Sequence, residues 1–305
     1  MPATQLSAST VTTPDGAVLE LFTAPDGTSS GSASSGSTSA GSAAATSDAG
    51  EGTLRGGVVV VHGSMVTADL YKDFALRLAD ALHGPVHVYN RRGRGGSSPQ
   101  PEDYSLATEV ADLGAVLAHT GTEAVFGHNY GGCIALHAGR ELEIGRLAVY
   151  DPIISFEGSI KAEWMGEFEQ ALAAKDEDRA LAVLLRGLQT AGPISKLPLP
   201  VLTVLNRIGS RTPLGKELSR LLPTGPAEIR AVVAADAQAK GFDELPLETL
   251  FLVGGASPEY FAEAAKKLDG VLPASDFDVL ARLAHDAPTR PAKALIDRLG
   301  EFFAS

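Results

Sequence analysis

Four consecutive valines, Val58 to Val61, preceded by glycine and followed by His62-Gly63, constrain this chain more than any other feature. A β-branched run without polar alternation reads as a strand buried on both faces, the kind found inside parallel sheets covered by helices on each side. The flanking sequence agrees. Val11 to Ala24 reads as two short strands joined at Pro14-Asp15-Gly16, where glycine supplies the positive φ of a tight turn. After the valines, helical patterns at about 68–82, 107–118 and 134–140 alternate with apolar runs at Val86–Tyr89, Ala124–Phe126 and Leu147–Tyr150. From about Ile153 to Lys240 the alternation stops, and helical segments are broken by Pro193, Pro198, Pro200 and Pro213. It resumes with a strand at Leu250–Val253, a helix at Glu259–Leu268, a weak strand near Phe277–Leu283 and a closing helix from about Pro291 to Phe303. Repeated β-α units predict an α/β fold with a mostly parallel, twisted sheet and helices on both faces. No internal repeat interrupts residues 1–305, which read as one domain with a helical cap insertion near 153–245.

Composition narrows the function. A chain of 305 residues that is 44% hydrophobic can bury one sizeable core. Its 37 acidic against 25 basic residues give a net charge of −12, and no basic run is long enough to follow a phosphate backbone, so nucleic acid is not an expected partner. A single cysteine, Cys133, leaves no internal disulfide, and no Cys/His spacing fits a zinc site. The first residues, Met1 to Thr13, have neither a basic nor an apolar leader segment, and no stretch reaches the roughly 18 apolar residues of a membrane span. The expectation is a soluble, unprocessed, cytoplasmic protein that needs no cofactor and no membrane, with a small molecule as its partner. The oligomeric state is not legible here. Gly27 to Gly52 is nearly all Gly, Ser, Ala and Thr, which reads as a flexible loop.

Four landmarks then fall in one order: Val61-His62-Gly63-Ser64, Asn90-Arg91-Arg92-Gly93-Arg94-Gly95-Gly96-Ser97, Gly127-His128-Asn129-Tyr130-Gly131-Gly132, and a late His285. Together they resemble the α/β-hydrolase superfamily, over roughly Val11 to Phe303 apart from the glycine-rich loop. The resemblance implies that Gly127 to Gly131 form a nucleophile elbow, a strained strand-to-helix turn that lifts residue 129 above the sheet. It implies that the backbone N–H groups of Ser64 and Tyr130 face the same point and could hold an oxyanion. It also implies that His285 fills the catalytic histidine position. The arginine segment reads as a loop-shaping, solvated turn without chemistry of its own.

The elbow departs from the family. Most members carry Ser there, and the Gly-His-Asp-Trp-Gly-Gly subset, which resembles epoxide hydrolases and haloalkane dehalogenases, carries Asp. A carboxamide has no proton whose removal yields a useful nucleophile, so Asn129 argues against a covalent step. Cys133, four residues on and inside the following helix, reads as a small buried residue. For the acid that would orient His285, Asp151 in Tyr150-Asp151-Pro152 competes with a purely turn-forming role for the same residue, while Gly254-Gly255-Ala256-Ser257-Pro258 offers only Ser257, with Glu259 just beyond. Apolar residues such as Phe156, Trp164, Met165 and Phe168 read as core or as pocket lining. Three functions stay open: His285-dependent chemistry without a covalent step, a ligand-binding or regulatory pseudoenzyme, and a conventional hydrolase, either an esterase with a sequence change at position 129 or an epoxide hydrolase- or dehalogenase-like enzyme after deamidation of Asn129. Deleting Thr28 to Gly52 should lower the melting temperature by no more than a few degrees, because shortening a flexible loop changes closure entropy little. A drop of ten degrees or more in a thermal melt would show that the segment packs.

Overall fold

The structure is a computed structural model that describes residues 5–25, 56–189, 192–237, 239–243, 245 and 248–305. The glycine-rich segment lies outside the described residues. Eight strands, β1 (Ser7–Thr12), β2 (Val18–Ala24), β3 (Val58–Val61), β4 (Val86–Tyr89), β5 (Ala124–His128), β6 (Arg146–Tyr150), β7 (Glu248–Gly254) and β8 (Ser275–Leu280), form one sheet in the order β1-β2-β4-β3-β5-β6-β7-β8. The opening hairpin and the β2–β4 pairing are antiparallel; all other pairings are parallel. The helices are α1 (Lys72–Leu82), α2 (Leu106–Thr120), α3 (Tyr130–Ala138), α4 (Met165–Ala173), α5 (Glu177–Leu188), α6 (Leu199–Gly209), α7 (Pro213–Leu221), α8 (Gly225–Ala234), α9 (Glu259–Asp269) and α10 (Lys293–Ala304). None of the helices among the described residues is long and apolar enough to cross a membrane.

The valine run lies in the sheet interior, paired with β4 on one side and β5 on the other, and none of its four side chains is exposed. Strand alternation sends Val58 and Val60 to the face covered by α1 and α10, and Val59 and Val61 to the face covered by α2, α3 and α9. Between β6 and β7 the chain leaves the sheet for α4 to α8, whose own core joins Phe168, Leu181, Leu184, Leu221, Leu222 and Ile229 to Met65 from the loop after β3. Phe168 is buried in that core with Trp164 and Met165 against it, and Phe156 packs on the α2/α3 side of the sheet. These four aromatic and methionine side chains pack as core; none of them lines the large pocket described below.

Two local readings shift. The third helix starts at Tyr130 rather than near Ile134. Gly131 and Gly132 weaken the sequence signal for a helix, yet the Asn129 carbonyl accepts from the N–H groups of Gly132 at 3.0 Å and Cys133 at 3.2 Å and closes the first turn. The arginine turn is the larger correction: Arg91 and Arg94 are fully buried, not solvated. Buried guanidinium needs paired carboxylate, and here Arg91 meets Glu109 of α2 at 2.6 Å and Glu228 of α8 at 2.9 Å, while Arg94 also bonds Glu228. Arg92 forms a two-pronged pair with Asp112, at 2.9 and 2.7 Å, and reaches Asp15 of the opening turn. Cys133 is buried, and burial pushes its thiol up to about 12. It is inert core at neutral pH.

Burial also keeps three imidazoles neutral. His62 and His128 are held well below the ordinary histidine value, and His137 is lowered to about 4, in each case chiefly by desolvation. The unfolded chain binds these protons as pH falls through about 6.5 and the folded chain does not, so stability is full above that value and declines below it. Each imidazole contributes at most about 1.4 kcal/mol per pH unit. The melting temperature should therefore fall by several degrees between pH 7 and 5.5, before carboxylates titrate; a flat profile across that window would contradict neutral burial.

Candidate active site

The site assembles at the carboxyl ends of the central strands, beside the point where the strand order reverses, as expected for open α/β sheets. Where β5 passes into α3, Asn129 adopts φ 54° and ψ −116°, a conformation a residue with a Cβ adopts only under constraint. Its neighbours supply that constraint. The Asn129 N–H donates to the Tyr150 carbonyl at 3.1 Å, and its carbonyl also accepts from Ile153 N–H at 3.1 Å. The flanking glycines allow the turn to pack. A Cβ on Gly131 would lie 2.0 Å from the Val61 carbonyl oxygen, and one on Gly127 would lie 2.6 Å from that of Gly131.

Ser64 follows β3, and its backbone N–H donates to Asn129 Oδ1 at 3.3 Å. Tyr130 N–H is the first amide of α3 and has no acceptor within the helix. The Tyr130 side chain turns the other way: its hydroxyl lies 3.2 Å from that of Tyr104, and its ring lies 4.9 Å beneath the Arg91 guanidinium. The elbow is thus tied to the buried arginine network.

Asp151, at the end of β6 with φ 44°, is fully buried. Its carboxylate does not fold back on its own turn. Oδ1 accepts from Gly254 N–H at 3.0 Å, and Oδ2 accepts from the Ser257 hydroxyl at 2.5 Å and lies 3.0 Å from His285 Nδ1. Ser257 therefore orients the acid, and Glu259 lies exposed at the start of α9. The carboxylate favours a proton on Nδ1 and leaves Nε2 as the free ring nitrogen. The His285 ring stacks on Phe261, with centroids 4.9 Å apart and planes 7° apart, and touches His128 at a 4.8 Å centroid distance. An imidazole held this way can take or give a proton at Nε2.

His128 and Tyr71 carry no role in the sequence reading, although both brace the site. The Tyr71 hydroxyl shares a hydrogen bond with His128 Nδ1 at 2.5 Å and accepts from Gly63 N–H at 3.3 Å, linking the loop after β3 to the elbow. His128 could have been noticed as the elbow's neighbour, whereas no sequence signal marks Tyr71. A pocket of about 370 Å³ opens above these residues. Ser64, Asn129, His128 and His285 form its polar floor, and leucines of α5 and α7, including Leu181, Leu184 and Leu218, form much of its wall.

Solved structures with the same fold include an alpha/beta hydrolase from Sphaerobacter thermophilus DSM 20745, at 23% identity and TM-score 0.70 over 97% of this chain and 100% of that one. A hydrolase from Pseudomonas aeruginosa PA01 aligns at 18% identity and TM-score 0.66 over 98% and 99% of the two chains. An N-formylmaleamic acid deformylase from Pseudomonas putida S16 aligns at 19% identity and TM-score 0.61 over 96% and 99%. No curated protein matches the chain in sequence. The profile of the alpha/beta hydrolase family matches residues 58–298, from the buried valine strand to the closing helix, and the chain belongs to that family.

Proposed function

We propose that this protein binds a small, fairly apolar carbonyl compound under a helical cap made of α4 to α8 and acts on it without a covalent intermediate. His285 is the general acid or base, Asp151 fixes its tautomer, and the Ser64 and Tyr130 N–H groups hold the developing oxyanion. The observation that carries this reading is the His285–Asp151 pair at 3.0 Å, bordering the same pocket as a residue that cannot be a nucleophile. A tightly plugged pocket would have favoured a pseudoenzyme. Instead about 370 Å³ is open between the histidine and an apolar wall. The chemistry requires no cofactor, and a cytoplasmic setting suits it.

The wild-type protein should not be labelled at position 129 by serine-directed phosphonates; stoichiometric labelling there would overturn the reading. On a panel of short-chain ketones and esters, His285→Ala should abolish any turnover while leaving ligand affinity within about tenfold, because the imidazole acts on the transition state more than on the ground state. Asn129→Ser should gain esterase activity, since the donors and histidine are already placed. Unchanged turnover in His285→Ala would move the assignment to a binding protein.

One contact favours a second reading. Asn129 Oδ1 receives the Ser64 N–H, so the carboxamide itself lies where a substrate carbonyl would. Water activated by His285 could add to the amide carbon; the C–N bond then breaks, and the histidine returns the proton to departing ammonia. The product is Asp at 129 and a conventional hydrolase. Peptide mass mapping of protein aged at neutral pH should then show a gain of about one dalton at this residue in the wild type and none in His285→Ala, the exchange of NH2 for OH needing the activated water. An unchanged mass in the wild type would exclude it.

A further inference from the structure

Glu228 makes all its charged contacts through one oxygen. Oε1 lies 2.9 Å from Arg91 Nη1 and accepts from Arg94, while Oε2 is buried with no partner. The residue is 1% exposed. Burial raises its pKa, but the guanidinium charges of Arg91 and Arg94 and the nearby Ser64 hydroxyl together hold it below the ordinary carboxylate range. An ionised carboxylate can only accept hydrogen bonds, and a bare buried oxygen on it is costly unless something comes to fill it.

Beside Glu228 is a cavity of about 20 Å³, bounded by Ser64 and Asn129 on the site side and by Ile153, Ile229 and Val232 elsewhere. It has Ser64, Met65, Asn129, Leu184 and Leu188 in common with the large pocket, so the two meet at the elbow. That volume suits one non-hydrogen atom with its hydrogens. The charge balance selects the kind of donor. Arg91 and Arg94 already match Glu109 and Glu228, so an ammonium group would bury an unmatched charge, whereas a neutral O–H or N–H would not.

We infer that Glu228 Oε2 forms a specificity subsite that accepts a hydrogen bond from a neutral hydroxyl or N–H carried next to the ligand's carbonyl carbon, so that α-hydroxy ketones and their amide analogues are preferred over plain ketones. This rests on the carbonyl-binding reading above and gives it a substrate class. The cavity is too small for the rest of the ligand, which stays in the leucine-walled pocket.

Calorimetric titration of the full chain with 2-hydroxyacetophenone and with acetophenone tests it. Wild type should bind the hydroxy ketone about tenfold more tightly, as a hydrogen bond to a charged acceptor allows. In Glu228→Gln the amide oxygen stays with the arginines and an NH2 group faces the cavity, so the preference should fall below about threefold. Val232→Ile puts one more carbon into the cavity wall and leaves Glu228 and both arginines intact; the preference should fall there too, which decides the matter if Glu228→Gln does not fold. Equal binding of the two ketones by wild type, or a tenfold preference that survives in Val232→Ile, would overturn the subsite alone. Binding of neither ketone would overturn the carbonyl reading and the subsite with it.

Discussion

The contact on which this site depends is the close approach of α3 to β3. Gly131 lies so near the Val61 carbonyl that no side chain fits between them. The helix can therefore begin at once after β5, and its first amide and Asn129 stand directly above the sheet. The strain at Asn129, of order 1–3 kcal/mol for such a conformation, is offset by four backbone hydrogen bonds, to Tyr150, Gly132, Cys133 and Ile153. Ile153 belongs to the segment that follows Asp151, so the bonds that hold the elbow also help to fix the strand end carrying the acid.

A second constraint acts through charge. The four buried groups Arg91, Arg94, Glu109 and Glu228 join the loop after β4, helix α2 and helix α8. An ion cluster of this sort rarely adds net stability over apolar packing, because desolvation offsets the Coulomb attraction. What it does provide is a geometric requirement: α8 must sit where Glu228 meets both guanidinium groups, and any other position leaves buried charge unmatched. The arrangement of the helical excursion over the elbow is thereby tied to the sheet at the edge of the pocket.

The fold was legible because its signals are local. The valine run, the β-α alternation and the glycines around residue 129 each act over a few residues, and the structure places them as the periodicity implies. His285 and Asp151 were also readable as candidates, but not their pairing, since 134 residues separate them and Ser257 and Glu259 stood as rivals. The side-chain bond from Ser257 to Asp151 resolves that competition, and nothing in either local sequence encodes it. The arginine turn was misread for a related reason. Three arginines within four residues look solvated in isolation, and their partners Glu109 and Glu228 lie on helices that only the tertiary fold brings near. Of the two readings open for Phe168 and Trp164, core and pocket lining, the structure takes the first: they pack in the core of the excursion while leucines line the cavity.

Asn129 changes the sign of what the elbow offers. A serine alkoxide or an aspartate carboxylate gives electrons to an electrophilic carbon, whereas a carboxamide has both an acceptor oxygen and an NH2 donor. Its orientation follows from the backbone, because Ser64 N–H requires an acceptor and Oδ1 takes that bond at 3.3 Å. The NH2 group then points away from Ser64. A ligand carbonyl oxygen that displaces Oδ1 exchanges one acceptor for another at Ser64 N–H, so entry costs little in hydrogen bonding. A ligand that leaves Oδ1 in place can meet the NH2 donor instead. Either way Asn129 offers only a neutral acceptor and a neutral donor, so under the proposed function it binds beside the ligand carbonyl rather than attacking it. Under the proposed function, proton transfer at His285 is the chemistry left to the site.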